Sequence, residues 1–131
     1  MQTREETIKD AVDKILALDE SENIEFIFLY GSVAIDKAHK GSDIDLCIRI
    51  KGTDKEAFDF VLQAMSVISS DLFDIKLFRQ LPLYIKIEVF KGKLLYSRDM
   101  QQVYLVAYET IEDYDEFRPR FFDYIGKEAI H

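Results

Sequence analysis

LYGSVAIDKAHKGSDIDLCI, residues 29–48, decides how this chain is read. Gly31-Ser32 ends a run of β-formers, and Asp43 and Asp45 flank Ile44 at the start of a second run. From Asp43 to Ile50 the pattern alternates strictly, with Ile44, Leu46, Ile48 and Ile50 on one face and Asp43, Asp45, Cys47 and Arg49 on the other. Both carboxylates therefore leave one face of a strand, roughly 6–7 Å apart at Cα. Two carboxylates that close repel unless a cation lies between them. Hard divalent ions with oxygen ligands, Mg²⁺ above all, are their natural companions. The glycine lets the backbone approach a ligand closely, and N–H groups at such a turn cradle phosphate. Phosphate and metal binding this close in sequence point to one ligand, a nucleoside triphosphate with its metals.

Working outward, Ile24 to Tyr30 (IEFIFLY) reads as a buried strand. Before it, Thr3 and Glu6 form a capping box, and Ile8, Ala11, Val12 and Ile15 carry a helix over 4–18. After the second strand, Thr53 and Glu56 form another box, opening a helix whose stripe is Ala57, Phe60, Val61, Ala64, Met65 and Ile68. Leu72 to Phe78 (LFDIKLF) reads as a third strand, with Asp74 and Lys76 opposite Phe73, Ile75 and Leu77. The segment LPLYIKIEVFKGK alternates like a strand, yet Pro82 suits a first helical turn and Gly92 a helix stop. Leu94 to Tyr96 is a short strand. From about Asp99 a stripe of Val103, Ala107, Ile111, Tyr114, Phe117, Phe121 and Ile125 predicts a helical tail over about 99–127, broken or kinked just before Pro119. No repeat or linker divides the chain, so residues 1–131 are expected to form one domain.

The 131 residues carry a formal charge of −8, which argues against non-specific nucleic-acid binding and favours a basic partner or a substrate carried in with metal ions. The single cysteine, Cys47, suits a reducing compartment and a role as a small buried filler. No apolar run nears the roughly 18–20 residues that span a bilayer, and MQTREETIKD lacks the apolar core of a signal peptide. A cytoplasmic protein that does not enter the membrane is the expectation.

Gly31-Ser32, Ala34 and Ser42-Asp43-Ile44-Asp45-Leu46 resemble the signature of the polymerase-beta-like nucleotidyltransferase superfamily, in particular its minimal (MNT-type) members. The resemblance covers Ile24 through Tyr96, and the tail (YETIEDYDEFRPRF) is similar to the C-terminal helix of small prokaryotic MNT proteins. It implies an α+β, palm-like fold: a small mixed β-sheet with helices packed mainly on one face. It also implies that Asp43 and Asp45 ligate two Mg²⁺ ions while Gly31 and Ser32 hold the nucleotide phosphates. A third metal-binding carboxylate is expected on a later strand. Asp74 matches that position, and Asp71, at a helix-to-strand junction, is its rival. Two departures stand out. Val33 and Ile35 flank Ala34 where many members carry arginine, and Asp36 stands where glycine is common. His39, between Lys37 and Lys40, reads as a solvated loop residue.

The function so implied is Mg²⁺-dependent transfer of a nucleoside monophosphate, AMP from ATP, onto a hydroxyl. The chain is too short for a second, substrate-enclosing domain, so another molecule or subunit must hold the acceptor. MNT proteins resemble antitoxins paired with HEPN-domain toxins, which makes a toxin tyrosine the favoured acceptor. Two alternatives stand beside it: a catalytically weak antitoxin that neutralises by binding alone, and a transferase acting on a small hydroxylated molecule. Tyr104 and Tyr108, to one side of the tail's stripe, suggest an interface with the toxin or a second copy, rimmed by Glu112, Asp113, Asp115 and Glu116.

Overall fold

The computed structural model describes residues 3–31, 43–68 and 70–125, with side chains through 116. In chain order the elements are α1 (Arg4–Leu18), β1 (Ile24–Tyr30), β2 (Ile44–Ile50), α2 (Asp54–Ile68), β3 (Phe73–Leu77), α3 (Leu83–Phe90), β4 (Lys93–Ser97) and α4 (Met100–Ile125), with a 3₁₀ turn at Phe78–Gln80. Both capping boxes form. The Thr3 hydroxyl accepts from the Glu6 N–H at 3.1 Å, and Thr53 and Glu56 exchange bonds reciprocally at 3.0 and 3.1 Å. Residues 32–42, which carry the departures at Val33, Ile35 and Asp36 and also His39, lie outside the described residues.

The strands form one mixed sheet in the order β3-β2-β1-β4. β1 runs antiparallel to both β2 and β4, while β2 and β3 are parallel. A parallel pair needs a crossover, and α2 provides it. The α+β class with a mixed sheet agrees with expectation, but the helices are not gathered mainly on one face. α1 and α2 cover one face, burying Ile8, Val12, Ile15, Ala57, Val61 and Ala64 against Ile27, Leu29, Ile44, Leu46 and Ile48. On the other, Val89 of α3 and Val103 and Val106 of α4 join Phe26, Phe28, Cys47 and Phe78 in a second core. The reason is composition: β1 is apolar on both sides, so each of its faces needs a cover.

Glu25 makes this two-sidedness work. It is an extra residue in β1, where the register slips between Ile24 and Phe26. Such a bulge turns Phe26 toward the second core while Ile24 stays in the first. The buried Glu25 carboxylate pairs with Arg49 on the same face.

The segment whose pattern suited strand and helix alike is helical over Leu83–Phe90, because Pro82 caps its start and two-sided cover for β1 is required. Three details differ from the sequence reading. Among the described side chains of α4 the buried ones are Val103, Val106 and Thr110, while Ile111 is exposed, and on α2 Met65 is exposed. α4 also runs through Pro119 without a break, a long helix absorbing the loss of one hydrogen bond. Among the described residues no helix is long and apolar enough to cross a membrane.

Gly92 lies where α3 turns into β4, against β1. A Cβ there would overlap the Leu29 carbonyl oxygen and come within 3.1 Å of the Tyr30 Cα. Both neighbours are backbone and cannot rotate aside. Gly92→Ala is expected to destabilise by about 1–3 kcal/mol, read as a lower urea midpoint at unchanged slope.

Candidate functional site

Alternation along β2 and β3 sends Asp45 and Asp74 to the face of the second core, away from α1 and α2. The parallel register makes them direct partners, Asp45 opposite Asp74, with Leu46 opposite Ile75 and Cys47 opposite Lys76. Adjacent strands lie about 4.8 Å apart, so two carboxylates stand side by side on neighbouring strands. On the other side Tyr30, the last residue of β1, is the antiparallel partner of Asp45. Tyr30, Asp45 and Asp74 thus form a row across the open end of the sheet. Asp43 lies just before β2, exposed, and joins the row's electrostatics.

Gly31 closes against this row. Its φ of +79° suits glycine, and a Cβ there would stand 2.6 Å from Asp45 Oδ2. Backbone and carboxylate therefore meet with nothing between them. Ser32 lies outside the described residues.

The charges are mutually unfavourable. Partial burial raises the Asp45 pKa, and the negative charges of Asp74 and Asp43 raise it further, with Lys76 opposing. The Tyr30 phenol is pushed up by burial and by the nearby Cys47, Asp45 and Asp74. Burial also raises the Cys47 pKa, so Cys47 is a neutral packing residue, as its composition suggested. Lys76 pairs loosely with Asp74, its Nζ 3.6 Å from Asp74 Oδ1.

Among the described residues no three His, Cys, Asp or Glu side chains are grouped tightly enough to hold a metal ion as they stand. The donor set nonetheless fits one: hard carboxylate oxygens, mutual repulsion that a cation would relieve, and a glycine with no side chain to crowd Asp45 Oδ2. Asp71, the rival third carboxylate, is exposed and lines a pocket with Met65, Ile68 and Phe73, under α2. It does not share the row. A groove of about 610 Å³ between α1 and β4 lies on the opposite face of the sheet, lined by Ile8, Val12, Leu16, Leu29 and Leu95, remote from the carboxylates. Tyr30 and Lys76 were not singled out as site residues from the sequence. Their signal was alternation with Phe28 and Asp74, which says nothing until strand pairing is known.

Residues 13–101 match the family described as polymerase beta, nucleotidyltransferase. A Methanocaldococcus jannaschii protein, provisionally named a protein adenylyltransferase, is 37% identical over 76 residues, 57% of each chain. The match thus spans little more than half of that relative's length. A crystal structure of a toxin–antitoxin with AMP-PNP contains a chain of the same fold, with a TM-score of 0.72 at 21% identity over 94% of this chain and 98% of that one. The complex of a tri-AMPylated Shewanella oneidensis HEPN toxin with its MNT antitoxin gives 0.67 at 19% identity, over 94% and 96%. At these identities the likeness is one of fold.

A raised Asp45 pKa has a definite sign. The folded state prefers the neutral carboxyl, so this preference stabilises the protein below the ordinary carboxylate range and is lost as pH rises through the folded pKa. Asp45→Asn, permanently neutral, should therefore melt a few degrees higher than the parent at pH 7 without metal. The gap should close as the pH falls below the ordinary carboxylate range. A thermal melt series from pH 3 to pH 7 (about one unit per step) checks both.

Proposed function

The chain belongs to the polymerase beta nucleotidyltransferase family, and from that premise we propose that it transfers AMP from ATP to a hydroxyl acceptor, a tyrosine of a HEPN-domain toxin, and serves as the antitoxin. The observation that carries this reading is the Asp45–Asp74 apposition with Gly31 packed against Asp45. Asp43, Asp45 and Asp74 would hold Mg²⁺, two ions with nucleotide bound, and that metal supplies the Lewis acidity that activates the attacking hydroxyl and steadies the leaving pyrophosphate. Gly31 and Ser32 would hold the nucleotide phosphates, as in the family they resemble. The acceptor oxygen bonds to the α-phosphorus, and the bond from that phosphorus to the pyrophosphate oxygen breaks. Asp74 takes the hydroxyl proton.

The partner follows from three supports. The relative in M. jannaschii carries the name of a protein adenylyltransferase, and the S. oneidensis neighbour pairs with an AMPylated HEPN toxin. A charge of −8 suits a basic, RNA-cleaving partner. The decisive experiment is co-purification of the untagged partner, followed by intact mass after incubation with Mg²⁺ and ATP. The toxin should gain one or more AMP units. Asp45→Asn and Asp74→Asn should each reduce that gain by at least about a hundredfold. Toxin neutralised with no mass gain would make binding alone the activity.

α4 offers a surface for that partner. Tyr104 is 68% exposed and Tyr108 60%, one helical turn apart, and the nearby Glu112 carboxylate pushes the Tyr108 phenol pKa up. Replacing Tyr104 and Tyr108 with serine should leave the melting temperature nearly unchanged and weaken association with the toxin, or with a second copy, by roughly tenfold or more. Mass photometry of the free protein and of the complex reads both.

A further inference from the structure

We propose that Lys76 is an exchangeable counter-charge: its ammonium steadies the Asp45–Asp74 pair while no cation is seated there, then turns to a phosphate oxygen of the incoming nucleotide. This rests on the reading of the row as a nucleotide site. Lys76 stands two residues after Asp74 in β3, so both side chains leave the same face of the edge strand. Its Nζ lies 3.6 Å from Asp74 Oδ1, beyond hydrogen-bond length and longer than the Lys14–Asp10 and Lys91–Glu88 pairs at 3.2 and 3.1 Å. The contact is loose, and both side chains are about half exposed, at 51% and 45%.

Among the described residues no closer ion pair anchors the ammonium. The β2 partner of Lys76 is Cys47, buried and neutral. Lys86 of α3 is engaged elsewhere, with its Nζ 5.0 Å from the centre of the Phe78 ring. A lysine suits an exchangeable role better than an arginine, since its compact charge rides on a flexible stem and has no bidentate fork to give up. A divalent cation seated against the carboxylates carries twice the charge of the ammonium and repels it. The same lysine is then free, within reach of the row, for an oxygen of the nucleotide. One positive group would thus serve two occupancies of one site.

The test compares Lys76→Met, which keeps the stem length, and Lys76→Arg with the parent. Calorimetry follows Mn²⁺ alone, and then AMP-PNP in the presence of Mg²⁺. Lys76→Met should bind Mn²⁺ alone about two- to fivefold more tightly, the change expected on removing a half-exposed ionic competitor. It should bind the nucleotide analogue more weakly by a similar factor, and Lys76→Arg should restore both toward the parent. Opposite signs are the signature. A change of both affinities in one direction, or of neither, overturns the role of Lys76. Mn²⁺ binding to the parent that survives Asp45→Asn overturns instead the reading of the row as a metal site.

Discussion

Two carboxylates of like charge stand opposite one another on adjacent parallel strands, and the rest of the structure is arranged so that they stay there. Parallel pairing of β2 with β3 places Asp45 beside Asp74, although burial and repulsion both act against the charged form of Asp45. Neither residue can leave without dragging its strand. The Ile44 N–H donates to the Leu72 carbonyl at 2.6 Å, tying the start of β2 to the approach to β3. Behind them Ile44, Leu46, Ile48, Phe73, Ile75 and Leu77 are buried under α1 and α2. Burial on that scale, at about 25 cal/mol per Å² of apolar surface, outweighs a local electrostatic penalty.

The second core gives the row its boundary. Phe26, Phe28, Phe78 and Phe90 meet edge to face with ring centres 5.3 to 5.9 Å apart, beside the buried Cys47. Such contacts are directional as well as apolar, so the wall behind the carboxylates has a defined shape. Along that face the chemistry changes in steps, from the buried Glu25 with its partly exposed partner Arg49, through the aromatic floor, to Tyr30, Asp45 and Asp74 at the open end. One face of one sheet thus passes from dry core to solvent-facing charge within the length of a strand. Gly31 completes the edge by bringing backbone, not side chain, against Asp45.

Much of this architecture follows from local pattern. The two capping boxes set the starts of α1 and α2 where Thr-x-x-Glu stands. Apolar runs and strict alternation delimit β1, β2 and β3 to within a residue or so. The same alternation puts Asp43 and Asp45 on the face opposite Ile44 and Leu46, and Asp74 opposite Phe73 and Ile75. A period of two leaves no freedom in facing, so the facing of all three carboxylates was legible, while the choice of Asp74 as the third came from the family resemblance and not from the period.

What the sequence could not state is which strands are neighbours, for pairing between distant segments is set by the packing of both sheet faces at once. LPLYIKIEVF satisfies strand and helix periods alike, and its helical form followed from the need to cover the second side of β1. The same demand put helices on both faces of the sheet and rotated the buried stripe of α4 toward Val106 and Thr110, leaving Ile111 in solvent. Tyr30 and Lys76 became neighbours of the carboxylates only through the β1–β2 and β2–β3 registers. The sequence by itself determined α1, α2 and the first three strands, the facing of those strands and the acidic pair. Tertiary structure alone decided that Asp45 meets Asp74, because that contact depends on a crossover helix long enough to lay β3 parallel beside β2 and on a core that holds it there.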